Sequence, residues 1–312
     1  MELISKIRNL PKDAIIVVPG WNYLSYWIAF LSGFLFKKRI AFRSESPLSH
    51  EKNKTVINKL LRNILFKHII FKRINFAFYV GIENLKFYEY YNVDNNKLIY
   101  TPYCVDNNRF QCQYEELKTT TNKLELRNIL NVPSNKKIIL YSGKFMQKKN
   151  PLDVLRAFSY LHNIDTFLIF MGDGELRDKI TNYINEYKLN DRVLITGFIN
   201  QSEIAKYYFV SDIFIMASTF GETWGLSVNE AMNFNLPIVI SNLTGCSKDL
   251  VNINQNGYIF ECGNISDLKS KLELILNLSD SEIKEFGDNS KEIINDYSFK
   301  IIRENLEKIK II

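Results

Sequence analysis

Cysteine is scarce in this sequence, and its spacing excludes two common kinds of stabilised site. The chain contains Cys104, Cys112, Cys246 and Cys262, with no CxxC pair and no histidine close by. This pattern indicates neither a zinc site nor a disulfide framework. We therefore expect a protein of the reducing cytoplasm.

A long uninterrupted apolar run is also missing. Residues 14–36 carry no charge, but the Pro19-Gly20 pair divides them into two pieces. Each piece is shorter than the roughly 20 residues that a membrane-spanning helix needs. We expect a buried strand before the pair and a helix over 23–36 after it. The first eleven residues are charged and mixed, which is not typical of a cleavable signal peptide.

Positive charge is concentrated in one segment. The net charge is +6, and residues 50–73 alone hold seven lysines and arginines against one acid, Glu51. Apolar residues from Val56 to Phe71 are interleaved with these bases and predict a cationic amphipathic helix. Such a helix can bind an anionic membrane surface, or it can pack its apolar side on its own sheet. Nucleic-acid binding is the weakest interpretation, because no recognition motif accompanies the charge.

The length and composition fit two globular domains. The chain has 312 residues, of which 46% are apolar, and short apolar runs alternate with helical patterns throughout. This alternation predicts an α/β protein with two Rossmann-like, doubly wound parallel sheets. We place the domains at 1–118 and 119–295, and we expect a C-terminal helix over 296–312 that packs toward the first. The expected strands are 15–19, 39–43, 76–80, 97–103, 137–142, 167–171, 193–196, 213–218, 238–241 and 257–260.

The most informative stretch runs from 213 to 241. An apolar strand leads into a glycine-rich loop and then into a helix whose first-turn N–H groups are unpaired. Such a helix start attracts an anion, for example a diphosphate. Glu222 before the helix and Glu230 inside it would bracket that anion and accept hydrogen bonds from sugar hydroxyls. Taken alone, Glu222 is better explained as a charge that complements the helix dipole, and Glu230 as a solvated helix residue. Together the two glutamates predict a nucleotide-sugar site.

Other predicted strand ends carry glycine, charge or an aromatic ring. Gly143, Lys144 and Lys149 follow the strand 137–142, where the lysines could hold phosphate. Gly172 begins a GDGE turn after the expected strand 167–171. Phe198 follows the expected strand 193–196, where its aromatic ring could flank a nucleotide base. Taken singly, each of these features is more often structural.

A charged pair also follows one strand of the first half. Arg43 and Glu45 stand directly after the apolar run RIAF. A substrate site and a surface ion pair explain this pair equally well.

Four motifs of the second half together resemble a known family: SGKFMQKKNPLDVLRAF, GDGEL, GETWGLSVNEAM and SNLTGCSKDLV. They are similar to those of the family 4 retaining glycosyltransferases, the glycosyl transferases group 1. The similarity extends from about residue 19 onward and is strongest over 138–268. It implies the GT-B architecture, in which two Rossmann-like domains face a cleft, with the donor on the C-terminal domain and the acceptor on the N-terminal one.

The resemblance also implies roles for individual residues. Lys144 and Lys149 would neutralise the donor diphosphate, Glu222 would contact the transferred sugar, and Glu230 would bind the ribose hydroxyls. Catalysis would rest on leaving-group stabilisation and positioning, without a metal and without a cofactor, because the nucleotide-sugar is itself a substrate. The other residues implied for the donor are Gly143, Gly172, Phe198, Gly225, Leu226 and Ser227. Arg43 and Glu45 resemble an Arg-x-Glu signature from one branch of the family.

The sequence differs from the family pattern before AIIVVPGW, where a strand and a glycine-rich loop are missing. This difference predicts a shortened N-terminal domain and favours self-association. We expect transfer of a sugar from a UDP- or GDP-linked donor to a hydroxyl of a lipid-linked glycan at the cytoplasmic face of a membrane, in surface polysaccharide or glycolipid biosynthesis. The alternative is a catalytically impaired sugar-nucleotide-binding protein or partner subunit.

Overall fold

The structure is a computed structural model that describes residues 2–52, 54–161 and 165–311. The chain forms two compact units. One comprises the residues up to Tyr103 together with those from Lys300 onward, and the other is Cys104–Phe299. Each unit is built on one parallel sheet with helices as crossovers. The predicted α/β class with two Rossmann-like sheets is therefore confirmed.

The first unit has a sheet whose described strands follow the order β1-β2-β3-β4. Its core is largely aromatic, because Phe66, Phe87, Tyr88 and Tyr91 are all buried against one another. The strands are β1 (Ile15–Val18), β2 (Arg39–Phe42), β3 (Phe76–Tyr79) and β4 (Leu98–Tyr100). The helices are α1 (Glu2–Arg8), α2 (Leu24–Leu35), α3 (Ser49–Lys52), α4 (Val56–Asn63), a π-helix (Ile64–Ile70), α5 (Phe71–Arg73), α6 (Ile82–Tyr90) and a 3-10 turn (Asn95–Lys97).

The basic segment 50–73 does not form the single amphipathic helix that the sequence predicts. It is divided into α3, α4, the π-helix and α5, and residue 53 lies outside the described residues. The side chain of Thr55 caps the amino end of α4 by accepting a hydrogen bond from the backbone of Asn58. Packing on the unit's own sheet explains the π-helix, whose Phe66 and Ile70 are buried. It does not explain α4, in which no residue is buried.

The second unit has a larger sheet, whose described strands follow the order β10-β9-β8-β5-β6-β7. Helices cover both faces, so β6 and β8 are buried along their whole length and read as continuous apolar runs. The strands are β5 (Lys137–Ser142), β6 (Thr166–Met171), β7 (Val193–Gly197), β8 (Ile213–Met216), β9 (Ile238–Ser241) and β10 (Gly257–Phe260).

In the described part of the second unit, two α-helices precede these strands, five connect them and two follow them. They are α7 (Asn107–Thr120), α8 (Lys123–Ile129), α9 (Pro151–Ser159), α10 (Arg177–Glu186), α11 (Ile204–Val210), α12 (Leu226–Met232), α13 (Ser247–Leu250), α14 (Ile265–Leu276) and α15 (Asp280–Ile294). The chain then enters α16 (Phe299–Glu307) and a final 3-10 turn (Lys308–Ile311). In the described part of the chain, none of the helices combines the length and the apolar character needed to cross a bilayer.

Candidate functional site

The predicted donor residues of the second unit lie at the carboxyl ends of neighbouring strands. The loops after β5, β6 and β7 are joined by their backbones: Gly143 donates to the carbonyl of Met171 and Gly172 donates to that of Gly197, both at 3.0 Å. Gly172 has φ +149°, and a Cβ at this position would lie 2.0 Å from the carbonyl oxygen of Gly143. Only glycine fits here, so the loops present bare backbone at this edge of the sheet.

Lys149 and Glu222 form the central contact of the site. The ammonium of Lys149 lies 2.5 Å from the carboxylate of Glu222, and that of Lys148 lies 3.9 Å from it. The Glu222 side chain is only 9% exposed, which strengthens its attraction to the lysines relative to a surface pair. Thr219 fixes this arrangement, because its N–H and hydroxyl both donate to the carbonyl of Lys148, at 2.8 and 3.2 Å.

The loop that carries Glu222 is held from behind by Gly245 and Cys246. Their N–H groups donate to the carbonyls of Glu222 and Trp224, each at 3.1 Å. A Cβ on Gly245 would lie 2.0 Å from the carbonyl oxygen of Thr223, so only glycine allows this close approach. The buried Trp224 indole also donates to the Asn229 side chain at 2.8 Å. The Glu222 backbone is therefore fixed independently of its side chain.

Helix α12 begins at the predicted position. Gly225 precedes it with φ +107°, a left-handed conformation that favours glycine, and a Cβ there would lie 2.9 Å from the sulfur of Met216. Leu226 and Ser227 are the first two residues of the helix. The hydroxyl of Ser227 donates to the carbonyl of Ser142 at 3.2 Å, which ties the start of α12 to the end of β5.

The carboxyl of Glu230 is largely buried. It is therefore not a solvated helix residue, which was the alternative to a binding role. The hydroxyl of Tyr208 donates to it at 2.7 Å. Burial raises the pKa of Glu230, while the hydrogen bond from Tyr208 and the positive charge of Arg109 act in the opposite direction. Burial and the charge of Glu230 in turn raise the pKa of Tyr208, so this hydroxyl remains a donor at neutral pH.

Two predicted donor residues lie at the exposed rim of these loops. Lys144 is exposed and forms no ion pair within 4.0 Å among the described residues, while its carbonyl accepts from the Tyr141 hydroxyl at 3.3 Å. Phe198, next to Gly197, has 79% of its side chain exposed. Both are therefore available to a ligand without any rearrangement of the core.

Arg43 and Glu45 belong to the first unit and lie beside one another. Their charged groups are 3.8 Å apart, and the Arg43 guanidinium lies 5.0 Å from the centre of the Tyr103 ring. Both side chains retain substantial exposure, so their mutual attraction is screened. The part of the chain that the structure describes contains no group of three His, Cys, Asp or Glu side chains that could hold a metal ion.

Sequence reasoning did not select Lys148, Tyr208 or Gly245. Lys148 stands next to Lys149 in the motif, and spacing alone could not show which of the two reaches the carboxylate. Tyr208 lies 22 residues before Glu230, and its hydrogen bond depends on the packing of α11 on α12. Gly245 had a local signal, since it falls within the SNLTGCSKDLV motif, but the contact with Thr223 is visible only in three dimensions.

Comparison with known proteins places the chain among enzymes of one family. The model of "Glycosyl transferases group 1" matches residues 122–293. The poly(ribitol-phosphate) alpha-N-acetylglucosaminyltransferase of Staphylococcus aureus is 28% identical over 200 residues, which are 62% of this chain and 39% of that protein. An alpha-1,4-N-acetyl-D-galactosaminyltransferase of Campylobacter jejuni, named for an undecaprenol-linked substrate, is 27% identical over 175 residues, 55% of this chain and 47% of that protein. The alignments thus span less than half of the length of these two relatives.

Solved structures show the same fold. A glycosyltransferase from Rickettsia africae superposes with a TM-score of 0.76 at 22% identity, covering 99% of this chain and 80% of that one. Anabaena HepE, solved in complex with UDP, superposes with a TM-score of 0.79 at 15% identity, covering 100% and 81%. The chain has the GT-B fold and belongs to the glycosyl transferases group 1 family.

Proposed function

We propose that this chain is a retaining, metal-independent glycosyltransferase that moves a sugar from a UDP- or GDP-linked donor to a hydroxyl of a lipid-linked glycan. The observation that carries the proposal is the Lys149–Glu222 ion pair, which lies beside bare glycine loops at the carboxyl ends of the second sheet. This is the edge at which open α/β sheets bind their ligands. Membership of the family supports a transferase in particular.

The donor diphosphate would bind by competing for the lysines. Without a ligand, Glu222 neutralises Lys149 at 2.5 Å and lies 3.9 Å from Lys148. A diphosphate offers more negative charge than one carboxylate, so the ammonium groups would turn toward it, together with Lys144. The N–H groups of Leu226 and Ser227 would add hydrogen bonds, and Gly143, Gly172 and Gly225 would let the phosphates approach the backbone.

The two glutamates would then bind the uncharged parts of the donor. Glu222, released from Lys149, would accept a hydrogen bond from the transferred sugar. Glu230, oriented by the Tyr208 hydroxyl at 2.7 Å, would accept from the ribose hydroxyls, and Phe198 would lie against the base. That HepE was solved with UDP supports a pyrimidine nucleotide as the first ligand to test.

The chemistry would depend on stabilising the leaving diphosphate. The bond from the anomeric carbon to the phosphate oxygen breaks, the acceptor oxygen bonds to that carbon, and the hydroxyl proton leaves with the nucleoside diphosphate or passes to water. Negative charge develops on the leaving phosphate oxygen, where the lysines would stabilise it. Their positive charges would take the place of a metal ion. Turnover in the presence of EDTA tests that part of the proposal, and the anomeric configuration of the product, measured by NMR, tests retention.

The acceptor class rests on the relatives. One is named for an undecaprenol-linked glycan, and an alpha-monoglucosyldiacylglycerol synthase of Streptococcus pneumoniae is 34% identical over 120 residues, 38% of this chain and 27% of that protein. We assign this chain to surface polysaccharide or glycolipid biosynthesis at the cytoplasmic face of a membrane. Arg43 and Glu45 of the first unit are the residues that we propose for the acceptor side.

Thermal unfolding with UDP, GDP and ADP in the presence of EDTA tests the donor site. A nucleotide at about 100 times its Kd stabilises the folded state by about 2.7 kcal/mol, which raises Tm by several degrees. A shift with one nucleotide identifies the donor, and turnover is then measured with the sugars of that nucleotide. Binding without turnover on any lipid-linked acceptor would favour a sugar-nucleotide-binding partner subunit, and no shift with any nucleotide would contradict the proposed site.

A further inference from the structure

Helix α4 of the first unit turns its apolar side outward. Val56, Ile57, Leu60 and Leu61 of α4, together with Ile64 at the start of the π-helix, are 47–82% exposed, and they lie on one side of this helical segment. We call these five residues the α4 ridge. A surface helix of a globular protein normally buries its apolar face against the core of that protein. An exposed ridge of this length therefore indicates a surface that a lipid bilayer or another macromolecule covers.

The polar side of α4 is the side that holds the helix in place. Arg62 donates to both carboxylate oxygens of Glu51, at 2.7 and 2.9 Å, and its guanidinium lies over the rings of Trp21 and Phe66. Tyr91 also donates to Glu51 at 2.7 Å. Anchoring through Arg62 fixes the outward orientation of the α4 ridge, because the opposite face of the helix is the one that contacts the unit.

The same contacts leave the surface around the ridge cationic. Glu51, the only acid of the basic segment, is buried and neutralised by Arg62. Lys54, Lys67 and Lys72 belong to the same segment, and none of them pairs with an acid among the described residues. A ridge of aliphatic side chains flanked by uncompensated lysines matches the chemistry of an anionic lipid surface, which supplies both acyl chains and phosphates.

We propose that the α4 ridge inserts into the headgroup and acyl boundary of an anionic bilayer, with Lys54, Lys67 and Lys72 at the level of the lipid phosphates. The inference deepens the proposed function and rests on it for the lipid-linked acceptor, which such docking would bring close to the enzyme. A second copy of the chain is a poorer occupant, because two ridges packed together would also bring together two sets of uncompensated lysines.

Flotation of the full chain with vesicles tests the proposal. Vesicles of phosphatidylcholine with about 30 mol% phosphatidylglycerol should carry the protein, and vesicles of phosphatidylcholine alone should carry much less. Ile57→Ser with Leu61→Ser should lower the partition coefficient at least tenfold, since both side chains are lost from the inserted face. Lys54→Gln with Lys67→Gln and Lys72→Gln should lower it about a hundredfold, because each lysine near an anionic surface contributes about a fivefold factor.

The matched control replaces two exposed aliphatic side chains of the second unit. Ile129 and Ile253 are 73% and 56% exposed, so Ile129→Ser with Ile253→Ser removes a similar apolar area and leaves the α4 ridge unchanged. This variant should float as the unchanged protein does. The substituted aliphatic side chains are exposed, and the three lysines form no ion pair among the described residues, so each variant should keep the Tm of the unchanged protein. The lysine variant tests the inference without touching the ridge.

Two results would overturn the inference. One is that vesicle binding does not depend on the ridge or on lipid charge: the ridge variant and the control float equally, or neutral and anionic vesicles carry the protein equally. The other is a dimer in sedimentation equilibrium that dissociates in the ridge variant while neither protein binds vesicles, which would assign the ridge to a second copy. The nucleotide shift, measured on the same preparations, separates the two proposals: vesicle binding without a shift contradicts only the donor site, and a shift without vesicle binding contradicts only the docking surface.

Discussion

The ammonium of Lys149 and the carboxylate of Glu222 lie 2.5 Å apart at the carboxyl edge of the second sheet. The two residues come from loops separated by more than 70 positions, and the hydrogen bonds from Thr219 to the carbonyl of Lys148 hold those loops together. The pair neutralises the charge of Lys149 within the protein. If this edge binds the donor as we propose, the diphosphate would have to separate the two side chains.

Replacing Glu222 by Gln should separate donor binding from turnover. The variant frees Lys149 and Lys148 for the diphosphate, so the nucleotide Kd should stay the same or fall. Turnover should drop at least a hundredfold, because the contact to the transferred sugar becomes weaker and misplaced. Calorimetric titration with the nucleotide and a product assay measure the two effects.

The control for this variant is Glu273→Gln, which removes the carboxylate of an exposed ion pair with Lys269 on α14. It should change neither the Kd nor the turnover. Turnover by the Glu222 variant at the rate of this control would show that Glu222 has no part in the reaction.

Replacing Lys149 by Met should weaken both the site and the fold. Loss of a charge-assisted contact to the diphosphate should raise the nucleotide Kd about tenfold to a hundredfold. The nearly buried Glu222 would lose its closest partner, which should cost about 1–3 kcal/mol and lower Tm by a few degrees. Lys148→Met is the matched control, and its effects should be smaller because its ammonium lies 3.9 Å from the carboxylate.

A double variant, Lys149→Met with Glu222→Gln, should recover part of the lost Tm and none of the lost affinity. That result would separate the cost of an unpaired carboxylate from the loss of phosphate binding. Equal effects of the Lys148 and Lys149 variants would contradict the assignment of Lys149 as the main phosphate ligand.

The sequence was sufficient for the second sheet because most of its strands are buried on both faces. β5, β9 and β10 have the predicted bounds, since each is a short apolar run flanked by polar or glycine residues. β8 ends two residues before the predicted 218, where Ser218 and Thr219 turn to bond the neighbouring loops. Glu222, Glu230 and the glycines were selected from the motifs alone, and their role as donor ligands stays a prediction.

The sequence could not show what depends on contacts between distant segments. The pairing of Glu222 with Lys149, the Tyr208 hydrogen bond to Glu230 and the anchoring role of Gly245 all join residues at least 20 positions apart. The outward orientation of α4 was also hidden, because periodicity shows that a helix has an apolar face and does not show which way that face points. The contacts of Arg62 show that orientation.

Adding a methyl group to Gly172 should disturb the site loops more than the same change at Gly221. A Cβ on Gly172 would overlap the Gly143 carbonyl at 2.0 Å, and the residue has a positive φ of +149°. Gly221 has φ +95° with no atom within 4 Å of its added Cβ. Gly172→Ala should therefore cost more than about 3 kcal/mol, and Gly221→Ala about 1–2 kcal/mol from backbone strain alone.

Urea unfolding measures both variants, and the nucleotide Kd shows whether the loop has moved. An equal loss of stability in the two variants would mean that the Gly143 and Gly172 loops are not in close contact in solution.

Glu230 should give the stability and the donor affinity opposite pH dependences. Burial raises its pKa above the ordinary value of 4.5, so the folded protein binds this proton more tightly than the unfolded chain does. The resulting stability is fully present below pH 4.5 and is lost as the pH rises through the folded pKa. Nucleotide affinity should increase over the same interval, because the ribose hydroxyls donate to the ionised carboxylate. The measurement is the Tm of the unchanged protein and of Glu230→Gln from pH 4 to 7. Because the variant lacks only the Glu230 carboxyl, the difference between the two curves reports the titration of that group alone.

Tyr208→Phe supplies the complementary test of the same proton. The Tyr208 hydroxyl holds the pKa of Glu230 down by donating to its ionised form, so its removal should move both transitions to higher pH. The Gln variant should lack the transitions altogether, with a weaker and pH-independent contribution to nucleotide binding. If the Tm curves of Glu230→Gln and the unchanged protein run parallel across this range, the pKa of Glu230 is the same in the folded and the unfolded chain, which would contradict the prediction that burial raises it.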